Sequence, residues 1–569
     1  MIRWGPEIIA SDRVRFRLWA PDREAVTLLR DGVSPIPMVA TGDGWFEGKA
    51  DAGPGTRYRF DLGDMVVPDP ASRGQSGGVH GWSLVADPTG YRWQCEGWRG
   101  RPWREAVIEE VHVGLEGGYA GLSDRLPEIA ALGVTAVELM PVAAFSGTRN
   151  WGYDGVLPYA PVESYGTPDE LKALIDRAHG LGLMVFLDVV YNHFGPDGNY
   201  LGAYASAFFD EDRHTPWGAG IDFSAEVVKR FFIDNARMWL EEYRFDGLRF
   251  DAVHAIGDNA FLDAMARELR ERCAGRHIHL ILENERNDAD RLREGGYDAQ
   301  WNDDFHNVLH VLLTGEDEAY YADFADRPTE RLARCLSEGF IYQGEGSHNH
   351  DGAPRGKPSG DLPTTRFVSF LQNHDQTGNR ALGERLTSLA DPGKLRAATA
   401  LLLLCPQVPM LFMGEAMGSE TPFLFFTDFH DELADAVRNG RRREFARFAA
   451  FADASDRAKI PDPNDRATFE ASRPQAGPDA ERWRALYREL IALRHDAIVP
   501  RLEGTKGTPA RILGEGALCA RWRMDDGAML TIAINLGDAA VTFPEEPGPP
   551  LFALGEGGAP ASFAAWLST

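Results

Sequence analysis

The sequence predicts an α/β chain organised around a (β/α)8 barrel of the TIM type, with an N-terminal β-sandwich before it and a small C-terminal β domain after it. Three observations carry that expectation. The chain has 569 residues, too many for one ordinary domain. From Val107 onward, short apolar runs alternate with amphipathic helical segments such as PDELKALIDRAHG, the texture of parallel βα units. Towards either end of the chain the runs instead resemble strands of small β domains, and near the N-terminus they alternate between Gly, Pro and Asp turns, the pattern of antiparallel sheets.

In order, residues 1–90 contain RVRFRLWA, AVTLLR, GWFEGKA and TRYRFDL. They read as a sandwich whose Trp19, Trp45, Phe46, Tyr58 and Phe60 pack between two sheets. Asp87 to Trp103, rich in Trp, Arg and Gly, reads as a linker. The barrel domain is expected over 91–495, with strands beginning near Val107, Val134, Leu183, Gly247, Ile278, Tyr297, Arg366 and Val408. The most apolar stretch, ATALLLLCPQVPMLFM, is broken by Pro406, Gln407 and Pro409, so it reads as a buried helix and then a strand, not as a membrane span. Long excursions after the third and sixth strands, including WGAGIDF after the third, read as loops over the C-terminal face, where such barrels place their active sites. ERWRALYRELIALRH closes the barrel near His495, and ALCARWRM and AMLTIAINL supply strands of the domain at 496–569.

A formal net charge of −27 argues against nucleic acid or anionic membranes as partners and leaves a neutral ligand free to approach. Cys95, Cys273, Cys335, Cys405 and Cys519 are scattered and odd in number, so neither a disulfide framework nor a zinc site is expected, and a reducing cytoplasm fits. MIRWGPEIIASDRVRF lacks the continuous apolar core of a secretory signal. EGGYAG at 116–121 has no Lys-Ser/Thr and no strand-to-helix setting, which excludes a nucleotide loop. HNHD at 348–351 reads as a surface loop and GRRREF at 440–445 as a solvated face.

The chemistry lies at strand ends. FDGLRFDAVHAI ends an apolar run by presenting Asp251, and LILENE does the same with Glu283. VFLDVVYNH places Asp188, Asn192 and His193, and FVSFLQNHDQ places His374 and Asp375. Four strand ends thus converge on one polar site. Arg249 lies two residues before Asp251, on the same strand face, where its charge keeps Asp251 ionised. Cleaving a glycosidic bond takes an acid to protonate the leaving oxygen and a carboxylate to meet the developing cation on the other face, and Glu283 and Asp251 suit those roles. No metal or cofactor is expected, since side chains supply acid, nucleophile and stabiliser.

DVVYNH at 188–193, GLRFDAVH at 247–254, Glu283 and QNHD at 372–375 resemble, in order and spacing, the four signature regions of the α-amylase family of glycoside hydrolases. The resemblance implies Asp251 as nucleophile, Glu283 as general acid/base and Asp375 as transition-state stabiliser. It implies sugar contacts from Tyr153, His193, Arg249, His254, His374 and Gln376. FRLWAP resembles the module that precedes the barrel in branching and debranching relatives. QWNDDFHN, FLQNHDQTGNRALGERL, SETPFLFFTDFHDELADAVRNGRRREF and PDPNDRATFEAS resemble the maltooligosyltrehalose trehalohydrolases within that family. That narrower resemblance implies a maltooligosyltrehalose substrate, cut at the α-1,4 bond next to its terminal trehalose, and a functional pairing with the synthase that makes it. Loops at 301–306, 376–380 and 415–423 would then select the trehalose end, with Asp304 and His306 as contacts. A glycogen branching or debranching enzyme is the alternative. An inactive amylase-like binding protein would be expected to have lost one of the three carboxylates, and all three are present.

Overall fold

The computed structural model describes residues 4–568 apart from 216–217, 294–295, 448 and 452; Trp217 of WGAGIDF therefore lies outside the described residues. Eight strands close into a barrel: β1 (Ile108–Val111), β2 (Ala136–Leu139), β3 (Met184–Val189), β4 (Gly247–Phe250), β5 (His279–Leu282), β6 (Ala299–Trp301), β7 (Phe367–Phe370) and β8 (Val408–Phe412). Every neighbouring pair is parallel, and each strand begins within two residues of its predicted start.

The barrel interior is an apolar plug that includes Ile108, Ala136, Phe186, Ile281, Val368 and Met410. Residues two apart on a strand share a face, so the next inward positions on β1, β2, β3 and beyond β5 are Glu110, Glu138, Asp188 and Glu283. The columns that fill the barrel therefore emerge as carboxylates at its C-terminal mouth. Close approach at the start of β4 depends on Gly247, where a Cβ would lie 2.7 Å from the His279 carbonyl oxygen and 2.8 Å from the Phe186 ring.

Around Glu7 to Leu84 two antiparallel sheets form the sandwich, one of them in the order Glu7–Ala10, Arg13–Trp19, Trp45–Asp51, Val39–Gly42. Trp19, Phe46, Tyr58 and Phe60 are buried in it. The sandwich sits on the barrel helix Glu226–Glu241 through Trp4, whose ring meets Phe231 edge-on at 4.8 Å, and through an Arg73–Glu242 ion pair at 3.2 Å. At the other end of the chain, a five-stranded antiparallel sheet runs from Lys506–Gly514 to Ser562–Ser568. Its Trp522 donates to the Leu336 carbonyl at 2.9 Å. All five cysteines are free. Among the described residues no helix is long and apolar enough to cross a membrane.

The stretch read as a linker is instead a strap across the N-terminal end of the barrel. The amides of Gln94 and Cys95 donate to Asp176 at 2.6 and 2.9 Å, Trp98 stacks on His179 at 4.9 Å, and Trp103 donates to the Thr365 carbonyl at 2.7 Å. Tryptophans of this density carry too much apolar area to leave in water.

Asp246, one residue before β4, anchors the strap. It is fully buried and accepts from Trp98 at 2.8 Å, His179 Nε2 at 2.9 Å, the Val185 amide at 3.0 Å and Arg276 at 3.2 Å. Removing it leaves Trp98, His179 and the Val185 amide without their acceptor and Arg276 without its counter-ion. Asp246→Ala is therefore expected to cost about 3–5 kcal/mol, read as a lower midpoint in chemical denaturation; a midpoint unchanged from wild type would contradict that anchoring role.

Candidate active site

The site is built on Arg249. Parallel register sets it opposite Asp188 on β3, and its Nη1 donates to Asp188 at 2.8 and 3.0 Å and to Asp251 at 2.6 Å. Its Nη2 lies 4.0 Å from Glu283. One buried guanidinium is thus shared by carboxylates from three strand ends, and it rests over the Trp301 ring at 4.1 Å. Asn192 donates to the second oxygen of Asp251 at 2.8 Å. The backbone turns sharply after Asp251: Ala252 has φ of +41°, and its amide donates to the Glu283 carboxyl at 2.5 Å.

These surroundings separate the two carboxyl groups. Burial opposes ionisation of Asp251, but Arg249, His193 and Asn192 outweigh it and hold the group below the usual carboxylate range. Burial raises Glu283 well above its usual range against the pull of Arg249, and Asp251 and Asp303 push the same way. One ionised and one protonated carboxyl side by side can attack and protonate across a single bond. Asp188 is pushed up to about 6 by burial in spite of Arg249.

His374 is locked by Glu110, which accepts from its backbone amide at 2.9 Å and from its Nδ1. Burial would lower the imidazole, but Glu110 raises it. Tyr153 stacks on that ring at 4.9 Å and gives its hydroxyl to Asp188, and the Tyr153 carbonyl accepts from His193 Nε2 at 2.9 Å. Asp375 is open to the cleft and is still raised by the protein packed around it. Gln376 donates to Asp303 at 3.1 Å. Asp251, Glu283, Asp375, Tyr153, His193, Arg249, His374 and Gln376 are therefore brought together. Glu415 braces the group from below, accepting from Gln372 and from the Phe412 amide, each at 2.9 Å.

Asp304 and His306 do not join them. Asp304 is fully buried, accepting from Asn287 at 2.9 Å and the Ile341 amide at 2.8 Å and facing Arg355 at 3.1 Å. His306 is buried against the Leu371 carbonyl at 2.6 Å. Both pin the loops behind the site. The residue that reaches the cleft is Asp303, at the first turn of the helix Asp303–Thr314. It is half-buried and pushed up to about 7 by burial and by Asp375. His254 sits at the rim, 3.6 Å from Glu285, which also faces His350 of HNHD at 3.2 Å.

The basic run GRRREF is not wholly a solvated face either. Arg441 is buried, its guanidinium over Phe425 at 5.1 Å and Phe445 at 4.8 Å. It donates to the Gly378 carbonyl at 2.5 Å, the Arg380 carbonyl at 3.1 Å and Asn379 Oδ1 at 3.2 Å. Asn379 in turn donates to Asp375 at 2.5 Å. Among the described residues no three His, Cys, Asp or Glu side chains come together as a metal-holding group.

A parallel barrel whose mouth holds an ionised aspartate and a protonated glutamate with an arginine between them is the arrangement of a glycoside hydrolase of the α-amylase type. The α-amylase catalytic-domain model matches residues 87–214, and a domain of unknown function, DUF3459, matches 506–566. The chain is 42% identical to a malto-oligosyltrehalose trehalohydrolase of Deinococcus radiodurans, over 85% of this chain and 81% of that one. It is 39% identical to the trehalohydrolase of Arthrobacter ramosus, over 94% and 93%. A solved structure from Salmonella typhimurium, described as a candidate alpha amylase, superposes with a TM-score of 0.94 at 46% identity over the whole of both chains. The chain belongs to the malto-oligosyltrehalose trehalohydrolase family, and it is a glycosidase.

Arg441 and Asn379 act on the site only by fixing the turn that carries Asp375. Arg441→Met and Asn379→Ala are each expected to lower kcat for glycoside hydrolysis by up to about 100-fold, the scale of a 1 Å misplacement, with KM within about twofold. The double variant should be little worse than the poorer single one, because both break the same chain of contacts. Additive losses in steady-state kinetics would show that they act separately.

Proposed function

We propose that the protein hydrolyses maltooligosyltrehalose at the α-1,4 bond next to the terminal trehalose, with retention of configuration, and releases trehalose. The observation that carries this reading is Arg249, which holds Asp251 ionised while Glu283 stays protonated. Asp251 attacks the anomeric carbon as Glu283 gives its proton to the departing glycosidic oxygen, so the trehalose leaves as a neutral alcohol. Glu283, now a carboxylate, then takes a proton from water. That water displaces Asp251 from the glycosyl ester and frees the maltooligosaccharide. Asp375, across the cleft, stabilises the positive charge that develops on the sugar. Tyr153 and His374 form the platform beneath that sugar, while His193, whose ring nitrogens are taken by Asn192 and the Tyr153 carbonyl, holds the wall beside it. The names of the relatives support the substrate, and a synthase that caps maltooligosaccharides with trehalose would supply it. The five free cysteines support a reducing cytoplasm.

Asp251→Asn and Glu283→Gln are each expected to lower kcat at least about 1,000-fold while leaving the circular dichroism spectrum unchanged. In the wild type the rate should follow a bell. Its acid limb reports Asp251 and lies below the usual carboxylate range, because the folded protein holds that group down. Its alkaline limb reports Glu283 and lies well above the usual glutamate range. The product should appear first as the α-anomer by NMR, and a β-anomer would overturn retention.

Trehalose selection must come from the leaving side of the bond. Asp303 and Gln376, joined at 3.1 Å, are the partly exposed polar pair we assign to that side, whereas Asp304 is fully buried. A polar group built to bond a sugar hydroxyl discriminates strongly against sugars that leave it unpaired. Asp303→Ala is expected to lower trehalose release from maltotriosyltrehalose at least about tenfold more than hydrolysis of plain maltooligosaccharides. Equal losses on both substrates would remove Asp303 from specificity. Formation of α-1,6 branches by the wild type would favour a branching enzyme.

A further inference from the structure

Glu110, the third residue of β1, is a buried carboxylate that none of the steps above uses. It is 1% exposed, and it gives both oxygens to one neighbour. Oε2 accepts from the His374 backbone amide at 2.9 Å, and Oε1 accepts from Nδ1 of the same residue. A carboxylate on a rigid barrel strand, bonded at two points to the segment after β7, fixes the plane of that ring as well as its place.

Aromatic rings enclose the imidazole on other sides. Tyr153 stacks on it at 4.9 Å and Trp151 meets it edge-on at 5.5 Å. Nε2 has no partner among the described residues, and it is not shut away from solvent. It is therefore the nitrogen that the ring presents to the cleft. What it presents depends on the charge of the ring. A carboxylate can only accept, so Nδ1 keeps its proton in either state. The neutral ring would then show the cleft a bare acceptor at Nε2, whereas the imidazolium shows it an N–H.

The groups that face the pair favour the imidazolium. Burial opposes it, but Glu110 outweighs burial and Asp375 adds to its pull, against Arg249. Asp188 on β3 also faces the ring and is bonded to Arg249 at 2.8 Å. His112, just past β1, is lowered by burial to about 4 and stays neutral. Burial likewise keeps the Tyr153 hydroxyl protonated. Glu138, the register partner of Glu110 on β2, is held neutral by burial, with Asp188 and Glu110 pushing the same way. It adds no second anion beside Glu110.

We propose that Glu110 is a positioning residue that keeps His374 an imidazolium throughout turnover, so that Nε2 always offers a charged N–H to the sugar in the cleaved position. A hydrogen bond from a charged donor is roughly twice as strong as a neutral one. Glu110 and His374 are neutral as a pair, so the bond is gained without a net positive charge beside the cation that develops on the sugar. This role rests on the reading of His374 as part of the platform under that sugar.

Two measurements test it. The first is an NMR titration of the full chain carrying isotope-labelled histidine, without substrate, with the His374 signals assigned by their loss in His374→Asn. His374 is expected to stay protonated above the ordinary histidine range, and Glu110→Gln to bring its titration down. The second is kcat/KM on maltotriosyltrehalose. The loss caused by Glu110→Gln should be at least about tenfold greater at about pH 8 than at about pH 5.5, where acid restores the imidazolium. Glu110→Asp, which keeps the charge, should bring that ratio back to within about twofold of wild type. Equal losses at both pH values, or a wild-type His374 that titrates at or below the ordinary histidine value, would overturn the proposal. If Glu110→Gln fails to fold, the wild-type titration decides by itself. Failure of the wild type to release trehalose would sink the proposed reaction and leave the titration standing, since it needs no substrate.

Discussion

A single guanidinium, that of Arg249, is the constraint to which the rest of the active-site end answers. It is 3% exposed, and an unpaired cation at that depth would be prohibitively costly. Asp188 and Asp251 pair with it directly and Glu283 stands 4.0 Å off. The indole of Trp301 covers it on another side, where the ring face adds attraction without another charge. The same contacts that make the cation tolerable give the two carboxyl groups their different protonation. Asp251 is bonded to the guanidinium at 2.6 Å and ionises, whereas Glu283, farther away and equally enclosed, is dominated by burial.

The layer around Arg249 holds more acid than one cation can neutralise, and protonation resolves the excess. Glu138 is buried with neither oxygen hydrogen-bonded, and burial, Asp188 and Glu110 together push it far up. It sits in the barrel as a neutral carboxyl. Asp303 is raised to about 7. For such groups the folded state binds protons that the unfolded state has released. The stability they contribute is complete below the ordinary carboxylate pKa and is lost as pH rises through the folded value. Asp251 has the opposite sign, so deprotonation favours folding at that residue and opposes it at its acidic neighbours.

Much of this end of the molecule was legible in the sequence because strand periodicity is rigid. A residue two beyond an inward one must also face inward, so Glu283 follows from Ile281, and Asp251 from Arg249, once the strands are found. Helices gave no such certainty. Asp303 and Asp304 are identical neighbours about 100° apart on a helix, and only the point where that helix starts, at Asn302, decides which faces the cleft. Arg441 stands in a run of three arginines, and its burial depends on Phe425 and Phe445, brought to it by tertiary packing. The strap misled for a related reason: Trp, Arg and Gly read as linker composition, while the acceptors that hold it, Asp176 and Asp246, lie 81 to 148 residues away in the chain.

Strand β4 shows why those distant contacts matter to the chemistry. Its N-terminal end is fixed by Asp246, which gathers four donors in the barrel floor. Its C-terminal end presents Asp251 and then turns through Ala252, a non-glycine residue in the left-handed region where an L side chain is strained. Strain of that kind persists only when the surroundings over-determine the backbone. Here the turn is held by the Glu283 carboxyl on the Ala252 amide and by the Val253 amide on the Glu283 carbonyl at 3.1 Å. Glu283 thus also supports the turn beside Asp251, so changing the position of one disturbs the other. Rigidity at the floor is what allows the mouth of the same strand to carry that coupling, because a β4 free to slide would lose the register that sets Asp188 opposite Arg249.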